Sequence, residues 1–170
     1  MAVVTTPGAT QNSYATVAEF KTYCDDRGMD YSAYSDAAIG ESLILTALWL
    51  DGYMDGRMPG VREAAVNALA WPRSQATDSD GYDLTDIPTR VQYAHIEAAF
   101  YNLGNAGNLF KTYTPDQQKV LVQVDAIKWQ PISGGNQTGA RASRIILPQV
   151  EDLLAPILTS GKGYPVAFAI

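Results

Sequence analysis

Few side chains in this 170-residue sequence are of the types that serve as nucleophiles, general bases or metal ligands. It has one histidine, His95, and one cysteine, Cys24, so most nucleophile-base pairs, an internal disulfide and a cysteine-based zinc site are excluded. Cys24 falls on the apolar face of a predicted helix, which favours a buried, unreactive thiol. His95 has no histidine or cysteine near it in the sequence, so we expect it on a helix surface or at an interface. The sequence predicts neither an enzyme nor a cofactor.

Three aspartates, Asp78, Asp80 and Asp83, come nearest to a metal-binding pattern. An EF-hand loop requires glycine at its sixth position and glutamate at its twelfth. Counted from Asp78, Gly81 is fourth and Thr89 is twelfth, so both required positions fail. We therefore expect no metal here and interpret the aspartates as turn residues.

The aspartates belong to a turn-rich connection, residues 69–88, between two predicted helices. Pro72 forces Trp71 out of the α region, and Pro88 lies where a helix can begin. Trp71, Tyr82 and Ile87 are predicted to anchor the connection to the flanking helices. A structural loop and a subunit interface both fit this pattern. The residues proposed to rigidify the loop or its contacts are Trp71, Pro72, Arg73, Asp80, Gly81, Tyr82 and Asp83.

Helical periodicity and capping signals predict the elements that flank this connection. A helix over residues 17–27 begins with a Thr16 to Glu19 capping-box pattern, and a longer one over residues 36–53 is capped by Ser35 or Asp36. The clearest helix covers residues 88–103. A short helix is also predicted from Pro59 onward, with Val61, Ala65 and Leu69 at four-residue spacing. Residues 1–12 are small and polar and predict an extended or disordered leader.

The pattern changes after residue 118. Valines occupy alternate, even-numbered positions, and Ile127 and Trp129 follow at odd-numbered positions. This pattern predicts two short strands, or one strand with a bulge near Asp125. A lone hairpin is unstable in water, so its edges are expected to pair with another element or another chain. Residues 131–144 have the composition of a flexible linker, and a short apolar helix and an alternating apolar C-terminal end follow.

These elements predict a mainly α protein: a small helical bundle with a short β-strand or hairpin element and a C-terminal extended arm that contains a short helix. The predicted divisions are a leader (1–12), the bundle (13–118), the β element (119–130), and the linker, short helix and arm (131–170). No apolar run approaches the roughly 20 residues of a membrane span, and residues 1–12 lack a signal-peptide pattern. We therefore expect a soluble protein that is synthesised in the cytoplasm.

Charge is distributed unevenly along the chain. Residues 1–118 contain 7 Lys and Arg against 15 Asp and Glu, whereas residues 119–170 contain 5 against 3. An acidic body repels a phosphate backbone, which argues against tight, sequence-independent nucleic-acid binding by that body. Tyrosines and tryptophans are plentiful, but they are not interleaved with Lys or Arg as in single-strand binders.

Several short motifs together resemble a family from tailed-phage structural gene clusters, whose members are labelled DnaT-like single-stranded-DNA-binding proteins and look like head-tail connector adaptors. The two most specific pieces are the Trp71-Pro72-Arg73 and Asp80-Gly81-Tyr82-Asp83 segments. The others are Ser13-Tyr14-Ala15-Thr16, Leu48-Trp49-Leu50-Asp51-Gly52 and Ile87-Pro88 with Val91. The resemblance covers residues 13–158.

This resemblance implies a structural adaptor at the head-tail interface of a virion. The adaptor would form a ring beneath the portal protein, and the ring would match the twelve-fold symmetry of the portal. On its other side it would contact a tail-side connector or terminator protein. Genomic double-stranded DNA would pass through the ring without sequence-specific contacts. The predicted interface residues are Val120, Val122, Val124, Ile127, Trp129, Ile145, Ile146, Leu147, Val150, Leu153, Leu154, Ile157, Leu158 and Phe168.

Two alternatives remain open at this point. One takes the family label literally, as a single-strand-binding accessory protein of replication. It predicts salt-sensitive binding in a basic groove built from Lys119, Lys128, Arg141, Arg144 and Lys162. The other is a monomeric or dimeric scaffold protein without a channel.

Overall fold

A computed structural model describes residues 2–110, 119–123, 128–131 and 145–159. The chain forms two compact units, one of residues 1–106 with 146–170 and one of residues 107–145. The first unit contains the helices α1 (Val17–Asp26), α2 (Asp36–Met54), α3 (Thr89–Gly104) and α4 (Pro148–Leu154), and the short strands β1 (Val61–Arg62) and β2 (Arg73–Ser74). The second contains a 3-10 turn, Asn108–Phe110, and the strands β3 (Lys119–Gln123) and β4 (Lys128–Pro131). The predicted mainly helical class with a small hairpin is confirmed.

The helix starts lie where the capping residues predict them. Thr16 and Glu19 form a reciprocal capping box, with each side chain accepting the other residue's backbone N–H. Ser35 accepts the N–H of Ala38 at the start of α2. Gly28 ends the α1 region with a φ of +64°, a left-handed conformation that glycine adopts without steric cost.

The core of the first unit lies between α1, α2 and α3. α2 packs along α3, and α4 covers another part of α3. Fully buried side chains from α1, α2 and α3 and from the segment before α1 meet there. They include Ala15, Phe20, Cys24, Ile39, Leu43, Ile96 and Ala99.

The N-terminal segment, predicted to be extended or disordered, has no helix or strand in its described part and is packed on the body. Asn12 accepts the N–H of Val4 at 2.7 Å, and Gly8 accepts the N–H of Ala68 at 3.0 Å. A Cβ at Gly40, inside α2, would lie 3.3 Å from a methyl group of Val3. The glycine in this helix therefore allows the close approach of the N-terminal segment, and Val17 of α1 also lies 3.7 Å from the same position.

No helix forms in the segment from Pro59 onward, where a short helix was predicted. Val61 and Arg62 instead form β1, which pairs antiparallel with β2, with Val61 opposite Ser74 and Arg62 opposite Arg73. The four-residue spacing of Val61, Ala65 and Leu69 is misleading, because Val61 is 56% exposed and Leu69 is 2% exposed. They therefore do not share one buried face.

In the second unit, two antiparallel strands confirm the two-strand alternative. Leu121 stands opposite Trp129, and Lys119 opposite Pro131. The register shifts between Leu121 and Gln123, while the bulge expected near Asp125 falls outside the described residues. Among the helices that the structure describes, none is both long and apolar enough to cross a membrane.

Candidate functional site

Trp71 and Pro72, which end the predicted third helix, lie at the centre of the folded body. Trp71 is completely buried, as predicted, and its bond to Pro72 is cis. The backbone N–H of Ala70 donates to Asp51 Oδ2 at 2.9 Å, and the N–H of Trp71 donates to the hydroxyl of Tyr14 at 3.3 Å. The connection is thus bonded to both the segment before α1 and the end of α2.

Fully buried Tyr14 and partly buried Asp51 form the polar pair that receives these N–H groups. The Tyr14 hydroxyl donates to Asp51 Oδ1. Burial raises the pKa of Asp51 above its usual value, although Tyr14 and the Ala70 N–H favour the ionised carboxylate. Burial and the neighbouring Asp51 also raise the pKa of Tyr14, so its hydroxyl keeps its proton and remains a donor. This pair fixes the chain entry into the Trp71-Pro72 segment.

Arg73 stabilises the same connection from its other side. Its Nε donates to the carbonyl of Pro59 at 2.6 Å, and a terminal nitrogen donates to the carbonyl of Gly60 at 2.8 Å. Gly60 has a φ of +61°, and a Cβ there would lie 2.3 Å from the carbonyl oxygen of Ser74. Arg73 is therefore a structural residue that joins β2 to the segment before β1.

Asp78 shapes the aspartate-rich turn. Its Oδ1 accepts the backbone N–H groups of Asp80, at 3.0 Å, and Tyr82, at 2.9 Å, while Gly81 has a φ of +87°. Tyr82 is 73% exposed, so its predicted role as an apolar anchor is wrong. Asp80, Gly81 and Asp83 are also exposed. No group of acidic, histidine or cysteine side chains suited to a metal ion occurs in the described parts of the chain.

Four of the described residues that were predicted to bind a partner are buried in their own chain. Leu147, Val150, Leu154 and Ile157 are at most 6% exposed and lie along the side of α4 that faces the core. α4 packs on α3, so this apolar stripe is covered at least in part by the same chain. Ile145, Leu153 and Leu158 are partly buried, and Ile146 is 71% exposed. Only Ile146 of this set presents most of its side chain to solvent.

A polar clasp holds α4 to the end of α2. Glu151 accepts hydrogen bonds from Tyr53 and from Arg57, whose Nη1 lies 2.5 Å from Glu151 Oε1. Burial alone would raise the pKa of Glu151, but the bonds from Arg57 and Tyr53 outweigh it and the pKa is lowered. Thr159 donates to the Arg57 carbonyl through both its N–H and its hydroxyl, each at 2.8 Å. The arm is thereby fixed at both the middle and the end of its described part.

His95 is in the core, which corrects its predicted surface position. It is 0% exposed, and its Nε2 donates to the carbonyl of Leu43 at 2.8 Å. The ring lies edge-on to Tyr14, and burial lowers the His95 pKa to about 4. Buried Cys24 fits its predicted inert role, since burial raises its pKa to about 11.

The cations of residues 2–106 are largely engaged with protein groups. Lys21 pairs with Asp36 at 2.6 Å, and the Arg27 guanidinium lies 3.6 Å from the centre of the Tyr23 ring. Arg62 donates to the carbonyl of Asn67 at 3.1 Å, in addition to the bonds of Arg57 and Arg73 already given. These cations are engaged in holding the body together. Residues 2–106 as a whole contain 14 Asp and Glu against 6 Lys and Arg. The surface of the body is therefore a poor match for a phosphate backbone.

The remaining predicted site residues lie in or around the hairpin and at the C-terminal end. Val120, Val122, Trp129, Lys119 and Lys128 belong to β3 and β4, whose backbone pairing is given above. The others fall outside the described residues: Val124, Ile127, Arg141, Arg144, Lys162 and Phe168.

Comparison with known proteins gives one family. The family model described as "Putative DnaT-like ssDNA binding protein" matches residues 1–170. Neither the comparison with curated proteins nor that with solved structures finds a match.

Proposed function

The chain belongs to this family of DnaT-like ssDNA-binding proteins, and from that membership we propose that it binds single-stranded DNA through the basic unit formed by residues 107–145. The observation that carries this assignment is the division of charge between the two units. Residues 107–145 contain five Lys and Arg against two Asp and Glu, whereas residues 2–106 are strongly acidic. A single strand is attracted to residues 107–145 and repelled by residues 2–106.

Although aromatic residues are not interleaved with lysine and arginine along the chain as a whole, the hairpin combines the two kinds of residue that single-strand binding needs. Lys119 and Lys128 lie in its two strands, and Trp129 follows Lys128 directly. Aromatic rings stack on bases without sequence preference, while lysines and arginines track the phosphates. Arg141 and Arg144, with Lys162 beyond the unit, add charge to the same third of the sequence.

Charge-removing variants of the full chain test this proposal. We propose to measure binding of a fluorescent oligo-dT of about 30 nucleotides, several times the site size of a small single-strand binder, by anisotropy at low salt. The hairpin variant Lys119→Ser with Lys128→Ser is expected to bind at least about tenfold more weakly, because two phosphate contacts are lost. The matched control, Lys21→Ser with Arg90→Ser, removes the same charge from the body and is expected to bind almost normally. Equal weakening by both variants would contradict the assignment to the hairpin unit.

A second candidate is a ring-forming head-tail adaptor of a tailed phage. Leu45 and Leu48, one turn apart on α2, are 52% and 67% exposed, an apolar face suited to contact between copies. An acidic body around a channel would also let packaged DNA slide.

Electron microscopy of the chain alone and with its portal tests this candidate. Rings that Leu45→Ser with Leu48→Ser abolishes would support it, with Val66→Ser, another exposed apolar position, as the control. A chain that stays monomeric in both samples would contradict it.

A further inference from the structure

A cavity of about 340 Å³ opens between α3 and α4, within the first unit. It lies where the last turn of α3 meets the first turn of α4, and Met29, which follows α1, closes one side. The walls are mainly apolar, and its polar groups stand at the edge. The apolar lining comes from Met29, Phe100, Leu147 and Val150, and the more polar lining from Glu97, Tyr101, Asn105 and Gln149, with Gly104 between.

Glu97 is the one charged residue in the lining of this cavity. Its Oε1 accepts a hydrogen bond from the Tyr23 hydroxyl at 2.7 Å, so one of its two oxygens is bonded within the protein. Ile146, next to the lining residue Leu147, is 71% exposed and extends the apolar surface beyond the cavity. An apolar opening of this size on an acid-rich surface suits an uncharged, apolar occupant.

The chain itself supplies such a segment. Eleven residues follow Thr159, and the last five, Val166-Ala167-Phe168-Ala169-Ile170, contain no charged side chain. Thr159 is bonded to Arg57, so the root of this segment is fixed. α4 rises about 9 Å from Pro148 to Leu154, and the residues from there to Thr159 add at most about 18 Å, so Pro148, beside the cavity, lies within roughly 27 Å of Thr159. Eleven extended residues span about 36 Å, so the C-terminal end reaches the cavity with length to spare.

We propose that residues 166–170 occupy the groove between α3 and α4 of their own chain, with Phe168 entering the cavity. A second cavity, of about 270 Å³, lies nearer to Thr159, but Asp78, Asp83 and Arg90 line it. An apolar segment would have to desolvate three charged side chains there against one, Glu97, in the groove between α3 and α4, which favours that groove. This inference is independent of nucleic-acid binding.

Disulfide trapping in the full chain tests the proposal. Ala169→Cys is combined with Gln149→Cys, which places a thiol at the edge of the groove, and the variant is oxidised with diamide. The matched control combines Ala169→Cys with Asp152→Cys, an exposed position on the same helix that is nearer in sequence to Thr159 and does not line the groove. Cys24 stays out of the reaction because it is buried and the pKa of its thiol is raised.

The expected result is an intramolecular disulfide that forms at least about tenfold faster with Gln149→Cys than with Asp152→Cys, because docking raises the local thiol concentration at the groove. Adding Phe168→Ser should remove this difference. Equal rates in the two variants would overturn the proposal, since a segment that does not dock would favour neither site. Disulfide-linked dimers formed preferentially through Gln149→Cys would also overturn it, because the occupant would then be a second copy.

Discussion

The Tyr14 hydroxyl donates a hydrogen bond to Asp51, and the two residues together accept the backbone N–H groups of Ala70 and Trp71. One polar pair thus joins the segment before α1, the end of α2 and the connection that leads to α3. This relationship links distant parts of the sequence, so its loss should affect the whole first unit.

Tyr14→Phe tests the pair directly. The change keeps the ring but removes the donor to a partly buried carboxylate and one acceptor for the Ala70 and Trp71 N–H groups. We expect a loss of about 2–3 kcal/mol in the free energy of unfolding, since buried groups left without partners carry a desolvation cost. Tyr31→Phe is the control, because Tyr31 donates to Asp25 at an exposed position. Urea denaturation measures both, and equal losses would contradict the structural role of the pair.

Gly60 and Gly81 allow a comparison of two glycines in the left-handed region. Gly60→Ala would place a Cβ 2.3 Å from the carbonyl oxygen of Ser74, whereas a Cβ at Gly81 meets no atom within 4 Å. We expect Gly81→Ala to cost about 1 kcal/mol, from backbone conformation alone. Gly60→Ala should cost clearly more, because β2 must also move. The thermal unfolding midpoints of the two variants measure this difference in stability. Equal midpoints would contradict the close approach of Gly60 to the Ser74 carbonyl.

His95 should make stability depend on pH. Burial lowers its pKa from the ordinary 6.5 to about 4, so between these two pH values the unfolded chain binds a proton that the folded chain does not. Stability is therefore expected to fall as the pH falls through this window, by about 3 kcal/mol in all. His95→Gln, which retains a donor for the Leu43 carbonyl, should be less stable at neutral pH but lack this slope. Denaturant unfolding at several pH values tests this, and an unchanged slope would contradict the assigned burial of His95.

Glu151→Gln tests the clasp between α4 and α2. The variant loses the charge that attracts Arg57, and we expect a loss of about 1 kcal/mol at neutral pH, since the pair is partly exposed. Because the pKa of Glu151 is lowered in the folded chain, its contribution is present above the unfolded value and disappears as the pH falls through the folded one. Asp152→Asn, an exposed neighbour on α4, is the control. A wild-type unfolding midpoint for Glu151→Gln at neutral pH would contradict the clasp.

Local signals are sufficient to predict the three long helices and the strands β3 and β4 from sequence. Thr16, Glu19 and Ser35 satisfy backbone groups within a few residues of themselves, so their roles can be read without knowing the tertiary fold. Burial of Trp71 agrees with its predicted role as an anchor, but the same reasoning failed for Tyr82, so the pattern alone does not tell a buried aromatic side chain from an exposed one.

Tertiary contacts determine what the sequence patterns miss. The predicted surface position of His95 is wrong because its partner, the carbonyl of Leu43, lies 52 positions away. The apolar stripe of α4 predicts a buried face but does not say whether the covering surface belongs to the same chain. The clasp of Glu151 with Tyr53 and Arg57 has no signal in sequence at all, since Glu151 lies 98 and 94 positions from them.

The proposal that the basic unit binds single-stranded DNA is tested most directly by the salt dependence of oligo-dT binding. We predict binding at low salt whose logarithmic affinity falls linearly with the logarithm of salt concentration, with a slope of roughly −2 to −4, which corresponds to about three to five phosphate contacts. The Lys119→Ser with Lys128→Ser variant should reduce this slope by about 1 or more. Absence of binding at low salt, or a slope unchanged in that variant, would contradict the account.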